Sequence, residues 1–399
     1  MQSNINLQRG PSTTALTVKN LALIFYFLFW LLKPFYFKAS GSLQIGDLFL
    51  GFSFLFLWLG DGFSINLRKI DNYFYLFFIS VCVINIFYFM IHLESAFLTA
   101  TLYYVFNFMV VYLYRELEST DNFYHNFARI MKINIIVQVV VYAIGKGDWF
   151  WGVRYMGTYN DPNQLAFGML STYCLLFCIS RKIKIKFLWL YYILAIFIVY
   201  QSSSTGMLLA MTMLFVCEQY FRISDIKDGF SKTFYIVYLI IITVVFMYLG
   251  IELFRVVMGG DTDIFFFIRL KDKLNRGDSF VDSFIRDRAL QPIVNAPIYI
   301  LFGSGEALTS RFAENNYEMH STWLAFLFHY GIVPFLFLIT WIKHNFKKLD
   351  LYVIPVYACL FFEAFTLVNH RQPSFWTLIA LASVLKRKTD ENNEKLEVV

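Results

Sequence analysis

Long apolar runs separated by short polar stretches dominate the chain, and each run is close to the length that crosses a bilayer. A spanning helix needs about 20 mostly apolar residues. Twelve runs meet that demand: 21–37, 44–60, 73–92, 96–114, 133–149, 164–180, 187–203, 205–221, 233–250, 321–342, 351–368 and 373–387. Periodicity does not sharpen their edges, because a helix bathed in lipid is apolar on most faces. The first run ends in Lys33-Pro34 without a small-residue cleavage site, so it is expected to stay as a span rather than be removed as a leader. One long stretch, 251–320, reads as soluble: an apolar patch at Ile264–Ile268 precedes the charge-dense Arg269–Arg288. A loop of this length is usually functional, and its amphipathic parts suit a membrane surface. The expected organisation is a membrane domain over 1–250 with about nine spans, a large extracytoplasmic loop over 251–320, a second membrane part over 321–387 with about three spans, and a polar, disordered tail over 388–399.

Composition agrees with this pattern. Of the 399 residues 58% are hydrophobic and only 16% are charged, and the mean hydropathy is +0.56. A soluble domain is near half apolar and a quarter charged. A soluble enzyme, a disordered chain and a secreted disulfide scaffold are therefore excluded. The cysteines Cys82, Cys174, Cys178, Cys217 and Cys359 all lie inside apolar runs and read as small packing residues.

Charge gives an orientation. With the N-terminus placed in the cytoplasm, segments on the inside hold 21 of the 34 Lys and Arg residues, short outside segments hold 5, and 251–320 holds 8. Short loops follow the positive-inside rule, and long ones escape it. Twelve spans with both termini cytoplasmic follow. On that topology the residues around 150–163, 251–320 and 369–372 share one extracytoplasmic face.

Three clusters on that face carry candidate chemistry. The first is Arg154-Tyr-Met-Gly-Thr-Tyr-Asn160-Asp161-Pro162-Asn163-Gln164. Asp161 and Pro162 are a helix-start signal. Arg154 is a cation on the side where cations are scarce, next to a helix N-terminus suited to an anion. The second is the set of basic residues in the long loop, among them Arg269, Arg276, Arg286, Arg288 and Arg311, followed by Leu301-Phe-Gly303-Ser-Gly305. An Arg fork matches a diphosphate better than a point charge does, and the two glycines suit a tight turn that brings backbone close to a ligand or another helix. The third is His320-Ser-Thr-Trp-Leu324, with Gly331 eleven residues after the histidine. A neutral imidazole there could take a proton from a hydroxyl. His329, deeper in the same run, reads as a packing residue. Glu363 is an intramembrane carboxylate, a functional hypothesis by default, with Arg371 or His370 as its expected structural partner. Asp261-Thr-Asp263 has the form of a metal-nucleotide motif but is too short to argue from. No nucleophile triad, phosphate-binding glycine loop or metal-ligand spacing stands out, and nothing points to nucleic acid.

At these three clusters the chain resembles the O-antigen polymerase and O-antigen ligase superfamily of bacterial polytopic membrane proteins. The likeness rests on Arg-x-x-Gly-x-x-x-Asp-Pro-Asn at 154–163, a long external loop ending in Arg286 and Leu-Phe-Gly-x-Gly at 301–305, and His-Ser-x-x-Leu at 320–324 with Gly331. It spans about 150–340 by motif. The resemblance implies an all-α polytopic fold of the multi-span glycosyltransferase kind in the bacterial inner membrane. It implies transfer of glycans from an undecaprenyl-diphosphate carrier at the periplasmic face. Donor and acceptor would both be carrier-linked glycans, with membrane lipid and a chain-length regulator as further partners. No metal or cofactor is implied. By position, His320, Arg286 and Arg154 would be catalytic. Arg288, Asn160, Asp161, Asn163, Arg269, Arg276 and Arg311 would bind substrate. Two departures stand out: Ser204-Thr205-Gly206 replaces the Ser-Arg-Gly of many relatives, and Pro334 follows three residues after Gly331. The second, with the aromatic-rich and glycine-poor character of the chain, favours polymerase over ligase. The alternatives are an O-antigen ligase acting on lipid A-core and a lipid-linked oligosaccharide flippase.

Overall fold

The computed structural model describes residues 13–37, 44–65, 67–225, 280–313 and 318–386, together with isolated positions between 226 and 279. The expected span 233–250, the Asp261-Thr-Asp263 stretch, Arg269, Arg276 and the tail 388–399 lie outside the described residues, except for Ile236 and Val237 and the helical residue at 233. Among the described residues the fold is all-α apart from one short hairpin.

Eight helices come first: α1 (Thr13–Leu32), α2 (Ile45–Gly60), α3 (Asn72–His92), α4 (Ala96–Leu117), α5 (Phe123–Ala143), α6 (Pro162–Ile179), α7 (Leu188–Gln201) and α8 (Thr205–Asp225). The hairpin β1 (Asp148–Phe150) and β2 (Arg154–Gly157) sits between α5 and α6. Short helices α9 (Phe280–Asp287), α10 (Gln291–Asn295) and α11 (Tyr299–Phe302) follow, then α12 (Thr322–Tyr330), α13 (Ile332–Asn345), α14 (Ile354–Thr366) and α15 (Pro373–Ala382). Among the described residues four helical stretches are long and apolar enough to cross a membrane: Lys69–His92, α4, α5 and α6. The remaining apolar helices are shorter.

The core is built around α6 and α15. Every residue of α15 is buried, as is all of Leu165–Ile179 except Gly168. The outer helices show the opposite. In α3, Leu76, Ile79, Val83, Ile86, Phe87 and Met90 all face outward. Large apolar side chains around a whole helix are stable in hydrocarbon and not in water, so this is the exterior of a membrane protein.

Three expected spans are corrected; the first, expected at 21–37, is α1 at Thr13–Leu32. The fifth was placed at 133–149, but α5 runs from Phe123 to Ala143. Buried Phe123, Phe127 and Met131 give the polar-looking 123–132 segment a core-facing side, while 148–157 goes into the hairpin. The tenth, 321–342, is not one helix. It breaks at Gly331, whose φ of 78° and ψ of 174° no helix permits. The Gly303 loop enters that break. The Ser304 and Gly305 amides donate to the carbonyls of Phe328 and His329 at 2.9–3.1 Å, so the carbonyls exposed at the end of α12 are satisfied. A Cβ on Gly331 would meet the Leu301 carbonyl oxygen at 2.7 Å, and one on Gly303 would meet the His329 carbonyl oxygen at 2.8 Å. Two glycines are needed because two backbones touch there.

Loops gather in two sets. In one, the Tyr36 amide donates to the Thr158 carbonyl (2.9 Å), Arg154 to the Ser202 carbonyl (3.0 Å) and the Thr322 amide to the Leu367 carbonyl (3.1 Å), and Arg311 meets His92 (3.2 Å). In the other, Arg68 pairs with Glu118 at 2.6 Å and Arg181 with Asp350 at 3.1 Å, and Leu349 bridges Lys386. The second set is tied down by Arg115, which is 2% exposed. Its guanidinium grips Asp71 through Nε and Nη2 at 2.9 and 3.0 Å and donates to Asn345, Ser383 and the Ala380 carbonyl. One buried cation thus joins the ends of α4, α13 and α15 to the start of α3. The descending part of the long loop folds over the first set. Leu290 and Met319 pack with Phe284 and Ile285 against Ala325 and Phe328 of α12. Phe284 and Ile285 of α9 therefore meet protein rather than being left for a membrane surface.

Candidate functional site

The site lies at the first set of loops, where α6 begins. Asp161 caps α6, its carboxylate accepting the amides of Asn163 and Gln164 at 2.7 and 3.2 Å. Pro162 occupies the first turn, where its missing N–H is no loss. Asn163 then turns its carbonyl oxygen to the Arg154 Nη2 (2.9 Å) and the Ser204 hydroxyl (3.1 Å). Arg154 also donates from Nε to the Ser202 carbonyl. It clamps the hairpin, the start of α6 and the α7–α8 turn together. Asn160 is half-buried in the turn before the cap.

A cavity of about 310 Å³ opens beside this helix start. Asp161, Asn163, Gln164 and Phe167 line one side, Glu318 and His320 another, and Leu367, Val368, Asn369, Arg371 and Gln372 a third. The structure therefore brings the first and third sequence clusters together, with Arg371, through this cavity. His320 is exposed there. Its amide donates to the Arg288 carbonyl at 2.9 Å, and the helix cap of α12 is supplied by Ser321 instead.

The group at the centre was not singled out from the sequence. Glu306 is 7% exposed and takes donors on both oxygens. Tyr104 and Tyr330 donate to Oε2 at 2.7 and 2.8 Å, and Arg371 donates to Oε1 at 2.8 Å, with His370 Nε2 at 3.3 Å. Its amide donates to Asn85 at 3.0 Å. Burial pushes the Glu306 carboxyl up, but His370 and Arg371 outweigh burial and hold it well below the usual carboxylate range. Burial likewise disfavours charge on Arg371, and Glu306 and Glu318 reverse that, holding it above its ordinary value. Arg371 also stacks over the Tyr103 ring at 5.0 Å and bonds Glu318 at 2.7 Å.

Arg371 and Glu318 line two further cavities. A smaller one, about 200 Å³, includes Glu306, His329 and His370. A larger one, about 380 Å³, has Lys33, Tyr36, Asp47, Tyr103 and Gln164 at its polar part, and Phe29, Leu50, Leu102, Phe106 and Val110 as its apolar part. Lys33 and Asp47 pair there at 2.7 Å.

The loop cations are placed differently. Arg286 is exposed on α9. Arg288 is half-buried and donates to the Thr366 carbonyl at the end of α14. Arg311 donates to the carbonyls of Ser304, Ala307 and Leu308 and stacks on Tyr88, Phe97 and Phe312, so it holds the loop in place. The expected pairing of Glu363 with Arg371 or His370 is corrected, since both belong to Glu306. Glu363 instead accepts the Thr366 hydroxyl at 3.0 Å and abuts Gly206 of α8. The turn after Thr366 carries residues 370 and 371 away from α14. Two signals for the missed centre were present: Glu306 directly follows a Gly-Ser-Gly turn, and Arg371 is one of few cations on the short outside segments.

No family model matches the chain, and no curated protein matches it.

Proposed function

We propose that the chain is a membrane glycosyltransferase that polymerises undecaprenyl-diphosphate-linked oligosaccharide repeat units, at the periplasmic face of a bacterial inner membrane, into O-antigen or a related polysaccharide. The observation that supports this reading most is the meeting of His320, Asp161, Asn163 and Arg371 around one cavity, beside a second that shares Arg371 and Glu318 and has an apolar, helix-lined floor. A sugar on a lipid diphosphate needs that combination of a polar pocket, a cation and a greasy channel. In the reaction, an acceptor hydroxyl attacks the anomeric carbon of the donor sugar. The bond from that carbon to the diphosphate oxygen breaks, and the electron pair leaves with the diphosphate. His320 takes the hydroxyl proton, worth about 10²–10⁴ in rate. A cation stabilises the departing charge, and losing one such donor costs about 10²–10³. Arg371 joins Arg154 and Arg286 as a candidate for that cation, because its guanidinium borders all three cavities.

A transporter of the same lipid-linked glycan is the second reading, favoured by one feature: Lys33 and Arg371 sit in a cavity between helices rather than in a loop. A glycan ladder gel of a deletion strain tests both. The proposal expects single-repeat glycan on the lipopolysaccharide. Uncapped core with polymer accumulating on the carrier lipid indicates a ligase, and uncapped core with unpolymerised carrier-linked repeats indicates a flippase. An unchanged ladder sinks every one of these readings.

A further inference from the structure

Arg371 is held between two carboxylates of unlike character. Glu306 is buried and is held from α4, from α12 and by two neighbouring residues of the turn before α15, so withdrawing it would strand a charge. Glu318 has a side chain 45% exposed, and its Oε1 takes the Arg371 Nη1 at 2.7 Å. It also borders each of the three cavities, so it stands between them. Arg371 keeps an Nε without a hydrogen-bond partner. Lys33, the other cation of the larger cavity, is already balanced by Asp47. Lys33 and Arg371 thus face Asp47, Glu306 and Glu318. With His370 also against Glu306, Glu318 is the carboxylate that offsets the pull of these cations on an anion, and the offset vanishes when Glu318 turns away.

We infer that Glu318 is a displaceable occupant of an anion seat on Arg371: an incoming phosphate or diphosphate takes Nη1 in its place, while Glu306 keeps Nη2. The site then discriminates. A neutral saccharide does not open it, and an anion must outcompete a tethered carboxylate to do so. The apolar floor of Phe29, Leu50, Leu102, Phe106 and Val110 favours an anion carried on a hydrocarbon chain over a free one. This part rests on the function proposed above, and the displacement itself does not.

The test is calorimetric binding of inorganic pyrophosphate and of farnesyl diphosphate to the full chain in detergent. Glu318→Gln is expected to tighten both about tenfold, because a competing like charge is removed. Glu318→Asp, which draws the carboxylate back by one methylene, is expected to tighten them less. Since Arg371→Ala alone strands Glu306, the seat is removed with the double variant E306Q/R371Q, which should bind neither probe. Equal or weaker binding in both Glu318 variants, at an unchanged melting temperature, overturns the inference. Farnesyl diphosphate binding at least tenfold tighter than pyrophosphate supports the lipid source, and equal affinities overturn that source alone. Tightening by Glu318→Gln with an unchanged ladder in the deletion strain sinks the polymerase and keeps the seat. An altered ladder without tightening does the reverse.

Discussion

Truncating His320 should separate chemistry from folding. Its side chain is exposed, and its backbone tie to the Arg288 carbonyl survives substitution. His320→Ala is therefore expected to keep its melting temperature and slow glycan transfer by about 10²–10⁴. A ladder of normal length would remove it from the site. Glu306 is the opposite case. A carboxyl whose pKa falls on folding adds stability in full above its unfolded value, about 4.3, and that stability is lost as pH drops through the folded value. Its folded value lies well below the ordinary one. Glu306→Gln leaves Arg371 without its buried partner, at a cost of about 3–5 kcal/mol near neutral pH. Melting curves at pH 7, 4 and 3 should show the gap between wild type and variant closing as pH falls below about 4. A constant gap would mean the carboxylate charge is not what Glu306 contributes. These residues also differ in how readable they were. Asp161, Asn163 and His320 stand at the ends of apolar runs, where a polar residue is conspicuous. Glu306 has its meaning from Asn85 and Tyr104, 221 and 202 positions away, and no local pattern encodes such a partnership.

At the scale of elements, most apolar helices were legible because lipid imposes one requirement, a long enough apolar run. That criterion is blind to interruptions that keep the run apolar. The break at Gly331 shows this: the stretch from Thr322 to Ile342 reads as continuous, yet its helix stops where the Gly303 turn crosses it. The information was split between two glycines, each unremarkable alone. Gly331→Ala should be costly for two reasons. The residue would hold a backbone conformation reserved for glycine, at about 1–3 kcal/mol, and its Cβ would stand 2.7 Å from the Leu301 carbonyl oxygen. Because the same turn leads into Glu306, the variant should also lose glycan transfer while remaining in the membrane. A Gly331→Ala protein with normal melting and normal chain length would show that the two backbones do not need to touch. The α5 boundary failed for a related reason: buried aromatics among polar residues made 123–132 a helix, where a hydropathy window sees a loop.

For the whole molecule, the alternation of loops between two ends is the property everything else depends on. Charge counting puts 150–163, 251–320 and 369–372 on one side of the membrane. It assigns 61–72, 115–132, 181–186 and 343–350 to the other. The contacts sort the same way. His92 meets Arg311, and Tyr36 meets Thr158. Arg68 meets Glu118, Arg115 meets Asp71, and Arg181 meets Asp350. Contacts of this kind fix which loops lie together but carry no sign, since a bundle inverted in the bilayer would keep every one of them. The sign comes only from the positive-inside bias, and chemistry on a lipid-diphosphate carrier depends on it. Cysteines introduced at exposed positions decide the matter. Glu94→Cys and Trp151→Cys sit with the site, and Asp121→Cys and Lys184→Cys sit at the far end; all four are exposed. In intact cells with a permeabilised outer membrane, an impermeant maleimide should label the first pair at once and the second only after the inner membrane is opened. The reverse pattern would put His320 and Arg371 in the cytosol, where neither a periplasmic glycan acceptor nor a carrier lipid already flipped outward can reach them. Labelling within one pair that disagrees would go further, because it would break the alternation itself and with it the convergence of the three cavities on one face.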